Sequence, residues 1–284
     1  MTDVASLRQP PAQTPAATAD RLAAPPRRLF TGYLIAALVM LVLPFLLSYA
    51  IWAVTGEWAV RTAYQDIAPI AHTTHALVGV FLLVAFPLQA LLGLKMTGQR
   101  KGRAGANRSD SGRNRTWHRR QGSIVVAVYL AYVATGMVML WDSSVIGRGV
   151  ASLASTLQIT VLVGASAVCL ALAWRAARSG DIGRHMDHVL FALIAISNIS
   201  LGRLVIGSFK VLGIEPGEVM LPGGAVGFIS AGEFGAITTI TLLALFWLSY
   251  AVRRGIVFTQ WGKTASLAVL PAFWPVILIP GLGQ

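Results

Sequence analysis

Along the 284 residues, long apolar runs alternate with short polar stretches. Each run holds about twenty residues, enough to cross a hydrocarbon layer of about 30 Å at 1.5 Å per residue. The runs lie at Leu29 to Val54, Ile70 to Leu94, Gln121 to Trp141, Leu153 to Trp174, His185 to Ile206 and Glu233 to Arg254. A shorter stretch, Ala265 to Pro280, carries Pro271, Pro275 and Pro280, and is either a seventh crossing or an interfacial segment. The pattern predicts an all-α, polytopic transmembrane helix bundle of six to seven crossings. It has two parts: a disordered tail at 1–28, rich in Ala, Pro and Thr, and one transmembrane helical domain at 29–284 with its core at 70–212.

Composition sharpens this reading. Apolar residues make up 55% of the chain and charged residues 12%, which suits a lipid-embedded protein. A net charge of +12 would suggest nucleic acid in a soluble chain, but here the cations sit in alternate loops. Four Lys/Arg lie in the tail, nine between Lys95 and Arg120, three from Arg175 to Arg184 and three from Arg253 to Lys263. The charge therefore reports topology and excludes a nucleic-acid partner. It predicts an inner-membrane protein with a cytoplasmic N-terminus, a flexible cytoplasmic loop at Lys95 to Arg120 and an external loop at Lys210 to Gly224. The single Cys169 rules out an intrachain disulfide or a cysteine-based metal site. No cleavable leader is expected, because the first apolar run is too long for one.

The chemistry available to such a chain is concentrated at helix mouths. All five histidines fall in three stretches, Ala71 to His75, Thr116 to Arg120 and Gly183 to His188. On a helix, residues eighteen apart share an azimuth and lie about 27 Å apart along the axis. In the second crossing His75 thus lines up with Gly79, Phe86, Gln89 and Gly93. In the third, His118 lines up with Gly122, Tyr129, Tyr132 and Gly136, and in the fifth, Arg203 lies below His185. These faces carry polar and small residues where a lipid-facing stripe would carry Leu, Ile and Val, so they are expected to point inward. No internal repeat stands out.

Depth separates two sets. His118, His185 and His188 lie toward the cytoplasmic side, and a b-type haem is commonly held between two imidazoles from different helices. His118 with His185 or His188 are the candidate iron ligands, with Gly122 and Tyr129 beside the macrocycle. His72, His75, Gln89, Arg203 and Glu233 form a candidate ligand site or polar gate toward the other side. Arg203 is the one cation predicted inside the membrane and needs an anion such as Glu233, or a ligand. Against this, a histidine at the interface often serves as an anchor, and a membrane-helix glycine often serves packing alone.

The ordered set His75 with Gly79, Pro87 and Gln89, His118-Arg119 with Gly122, and Gly180-Asp181-Ile182 with His185 and Arg203 resembles a bacterial membrane family known as domain of unknown function two-three-zero-six. The resemblance covers about His72 to Arg203. It implies a bundle with a histidine-bearing four-helix centre and brings no established activity. Where that family has a basic and aromatic cluster after the third histidine, this chain has Met186-Asp187-His188 and Phe191. Three functions follow as expectations. The first is a haem-binding redox protein exchanging electrons with a quinone or a partner protein. The second is a carrier for a small solute or protons, and the third is a structural subunit without chemistry. Whether the chain is an enzyme is left open by the residues.

Overall fold

The computed structural model describes residues 24–55, 69–99, 108–141, 153–212, 217–220, 226–229, 231–265 and 267. Among them, six long helices follow one another: α1 (Arg27–Thr55), α2 (Pro69–Gln99), α3 (Arg108–Leu140), α4 (Leu153–Ser179), α5 (Ile182–Val211) and α6 (Ala231–Arg254). A two-stranded antiparallel hairpin, β1 (Gly217–Met220) with β2 (Val226–Ile229), stands between α5 and α6. The first five helices are long and apolar enough to cross a membrane. The tail up to Ala23 lies outside the described residues, as does the segment Ala265 to Pro280 apart from Ala265 and Leu267.

The helix at the centre is α5. It packs along α1 and α4 and carries α6 on a further side. In its apolar window 56% of residues are buried, against 11% for α2, so α5 forms the core and α2 faces outward. Leu190 to Ile196 are buried all round, as expected of a helix enclosed by others. Ser197 bridges to α1 by donating to the Ala37 carbonyl at 3.3 Å. Farther out, α2 packs on α3, and α3 on α4. The α3/α4 seam is held at three levels: Trp174 Nε1 donates to Ser123 at 3.2 Å, Tyr129 bonds Ser166, and Trp141 Nε1 donates to Thr160 at 2.9 Å.

Two tight turns aim the functional ends. After α4, Gly180 takes a left-handed φ of 79°, a conformation that side chains with a Cβ disfavour. The Gly180 and Asp181 amides donate back to the carbonyls of Ala177 and Ala176. Asp181 then caps α5, its Oδ1 accepting from the Arg184 amide at 3.0 Å. The same device ends α6. Gly255 has φ 71°, and Ile256, which is buried, donates to the Ala251 carbonyl at 3.0 Å. The chain thereby doubles back so that 257–265 returns over the start of α5.

Two expectations need correction. The stretch Lys95 to Arg120 is not a loop throughout, since α2 runs to Gln99 and α3 begins at Arg108. Its charged residues extend the helix beyond the apolar run, with Arg113, Arg115, Arg119 and Arg120 all exposed. His118 consequently sits well inside α3 rather than at its mouth. The Lys210 to Gly224 segment likewise is not irregular throughout: α5 continues to Val211, and β1 pairs with β2.

Candidate functional site

The inward histidine faces meet in the α2/α3 seam. At one end, Gln89 of α2 reaches His118 of α3: its Nε2 lies 3.0 Å from Nδ1 and donates to the His118 carbonyl at 2.8 Å. Two glycines make this approach possible. A methyl on Gly122 would stand 2.7 Å from Gln89 Nε2, and one on Gly93 would stand 3.2 Å from His118 Cε1. Gly122 therefore makes room for the Gln89 amide, and the notch expected to receive a macrocycle is filled by that side chain.

Across from α3, His185 of α5 faces His118. The ring centroids are 6.4 Å apart and the planes cross at 87°. Nδ1 of His185 lies 2.9 Å from the Ala173 carbonyl, so it is the protonated nitrogen and Nε2 keeps its lone pair. His188, one turn farther along α5, makes no ring contact with His118. It lies near Lys263 and Arg184, and its Nδ1 is buried without a hydrogen-bond partner. Tyr129 is turned into the seam with α4, where it bonds Ser166 and touches Phe86 edge-on. Of the predicted inner set, His118 and His185 come together, while His188 and Tyr129 point elsewhere. Gln89, expected with His75 and Arg203 in the outer set, belongs instead to the His118 end, because fourteen residues of α2, about 21 Å of rise, separate it from His75.

The opposite end of the seam holds His75 on α2. Its imidazole stacks on Tyr132, with centroids 3.8 Å apart and planes 18° apart. A methyl on Gly136 would stand 2.8 Å from His75 Cε1, and one on Gly79 would stand 3.5 Å from the Tyr132 ring. Nδ1 of His75 is buried and has no hydrogen-bond partner. The charge of Arg203 is felt at His72, His75 and Tyr132, and its guanidinium lies over the Phe45 ring at 5.7 Å. Glu233 stands in the first turn of α6, but its side chain, and with it the expected Arg203–Glu233 pair, lies outside the described residues.

A third polar cluster was not anticipated from sequence. Asp187 of α5 is fully buried. Tyr250 of α6 donates to its Oδ1 at 2.6 Å, Gln260 donates to Oδ2 at 3.3 Å, and Arg254 forms an ion pair at 3.6 Å. Lys263 completes the group. It donates to Gln260 and lies over the rings of Phe191 and Trp247 at 5.8 and 5.7 Å. Burial pushes the Lys263 ammonium down from its ordinary 10.5 to about 8, against the opposing pull of Cys169 and Asp187. The signal in the sequence was a lone carboxylate within an apolar run, paired with the cation-rich end of α6 and the turn after it. This cluster ties α5 to α6 and the turn after it. No family model, no curated protein and no solved structure matches the chain.

Proposed function

We propose that the protein is a membrane redox protein that holds a b-type haem between His118 of α3 and His185 of α5 and exchanges electrons with a quinone or a partner protein. It would lie in a bacterial inner membrane with its N-terminus and the His118 end on the cytoplasmic side. The observation that carries the reading is the facing of two imidazoles from different helices at 6.4 Å. At that separation His118 and His185 could hold one iron between them, as pairs of imidazoles from different helices do in membrane bundles. When bound, the haem supplies a centre that takes up and releases one electron.

The protein's own groups do the rest. Ala173 fixes His185 in the tautomer whose Nε2 can bind a metal, the usual role of a partner behind a metal-binding imidazole. Gln89 sets the other ring. Its amide nitrogen lies against both Nδ1 and the carbonyl of His118, and by donating to Nδ1 it leaves the ring proton on Nε2. Iron binding through Nε2 would require that proton to leave.

The absorption spectrum of the purified protein tests this. A Soret band that shifts on dithionite addition is expected, together with loss of haem in His118→Ala and His185→Ala but not in His72→Ala. A colourless wild type, or equal haem in wild type and His118→Ala, would overturn the proposal and leave a carrier or a structural subunit.

A further inference from the structure

The two helices of the seam share a pattern that is hidden at the level of residue identity. On α2, His75 is followed by Gly79, Phe86, Gln89 and Gly93; on α3, His118 is followed by Gly122, Tyr129, Tyr132 and Gly136. The steps from histidine to glycine, aromatic, polar residue and second glycine are the same in both. The contacts are reciprocal as well: His75 on Gly136 and His118 on Gly93, Tyr132 on Gly79 and Gln89 on Gly122. An antiparallel pair packed this way has a local two-fold axis across the middle of the seam, with one histidine site at each end. The two ends differ in what α5 presents. Facing His118 is an imidazole, His185; eighteen residues on, near His75, is the guanidinium of Arg203. Two imidazoles suit a metal, whereas an imidazole beside a guanidinium suits an oxygen acceptor.

We infer that α2 and α3 are an inverted repeat, and that its second end, built from His75, Tyr132, Gly136 and Arg203, is a separate binding site for the carbonyl oxygen of a membrane-soluble quinone. The buried, unsatisfied Nδ1 of His75 is a polar atom in want of a partner, as few such atoms in folded proteins are. Arg203 supplies a cation at the same level, and the Phe45 and Tyr132 rings supply apolar walls. Because α2 is the least enclosed of the membrane helices, the ligand arrives from lipid. A fatty acid carboxylate offers the same acceptor chemistry, and the choice of quinone rests on the redox reading above.

The test uses full-length protein in lipid nanodiscs, titrated with decylubiquinone and, separately, with oleate, and reads the melting temperature and the haem content. Decylubiquinone should raise the melting temperature saturably. At least tenfold more should be needed in Arg203→Met and in Gly136→Ala, where the added methyl displaces the imidazole of His75 without removing any group. His118→Ala should lose haem and keep the quinone response. Quinone stabilisation in a protein without haem would uphold this site while sinking the haem proposal. Absence of any quinone response in the wild type, equal responses in all variants, or a response to oleate alone would overturn the quinone site.

Discussion

Asp187→Asn is the sharpest test of how the bundle is held together. Asp187 is fully buried, and the Arg254 side chain facing it at 3.6 Å is 9% exposed. At that separation, with an effective dielectric constant of about 20, the attraction is about 4 to 5 kcal/mol before desolvation is counted. Asparagine keeps the shape and still accepts from Tyr250; it loses the ion pair with Arg254 and, with an NH2 at the Oδ2 position, the hydrogen bond from Gln260. Breaking one side of a buried pair typically costs about 3 to 5 kcal/mol; since Arg254 keeps some access to water, about 3 kcal/mol is expected. At about 2 to 4 °C per kcal/mol, the melting temperature in detergent should fall by about 6 to 12 °C. Tyr250→Phe, which removes one hydrogen bond to a charged acceptor, should fall by less, about 1.5 to 3 kcal/mol. The double variant Asp187→Asn with Arg254→Gln should recover much of the single loss, because both charges are then gone. A fall of less than about 2 °C, or a double variant no better than the single, would refute the claim that this ion pair locks α5 to α6.

Two further outcomes follow from the same geometry. The folded-state pKa of Lys263, about 8, lies below its ordinary 10.5, so between those values the unfolded chain binds more protons and stability should rise with pH. That rise should vanish in Lys263→Met when melting is followed from pH 7.5 to 10. For topology, single cysteines at Ser111 and Gly217 in a Cys169→Ala background should label oppositely with an impermeant thiol reagent in intact cells; labelling of both from outside contradicts the proposed orientation.

Much of the seam was legible because helical periodicity alone decides which residues share a face. His75, Gly79, Phe86, Gln89 and Gly93 fall on one stripe by spacing, and the structure turns that stripe onto α3. What each glycine receives was not legible. Gly122 accommodates Gln89 only because α2 and α3 run antiparallel in one particular register, and register is a property of two helices, not of one. The start of α3 was missed for a related reason: Arg108 to Arg120 is polar apart from Gly112 and Trp117, so hydropathy ends where the helix does not. The Asp187 cluster depended on Gly255 reversing the chain, which brings Gln260 and Lys263 to a residue more than seventy positions earlier. Nothing in the sequence gave the direction from which the partners of this carboxylate would come.

That separation along the chain also sets an order of events during synthesis. Tyr250 and Gln260 follow Asp187 by 63 and 73 residues, so at about 5 to 20 residues per second the ribosome makes them roughly 3 to 15 seconds later. For that interval α5 carries a carboxylate with neither of these partners, at its leading end. Entering lipid with it would be unfavourable, so the Gly183 to His188 turn of α5 should stay in water at the membrane surface while the remainder waits. Only when α6 and the turn after Gly255 have emerged can the carboxylate be enclosed. Release of a nascent chain stalled before Tyr250 should therefore leave α5 open to proteases, whereas one stalled beyond Lys263 should be protected.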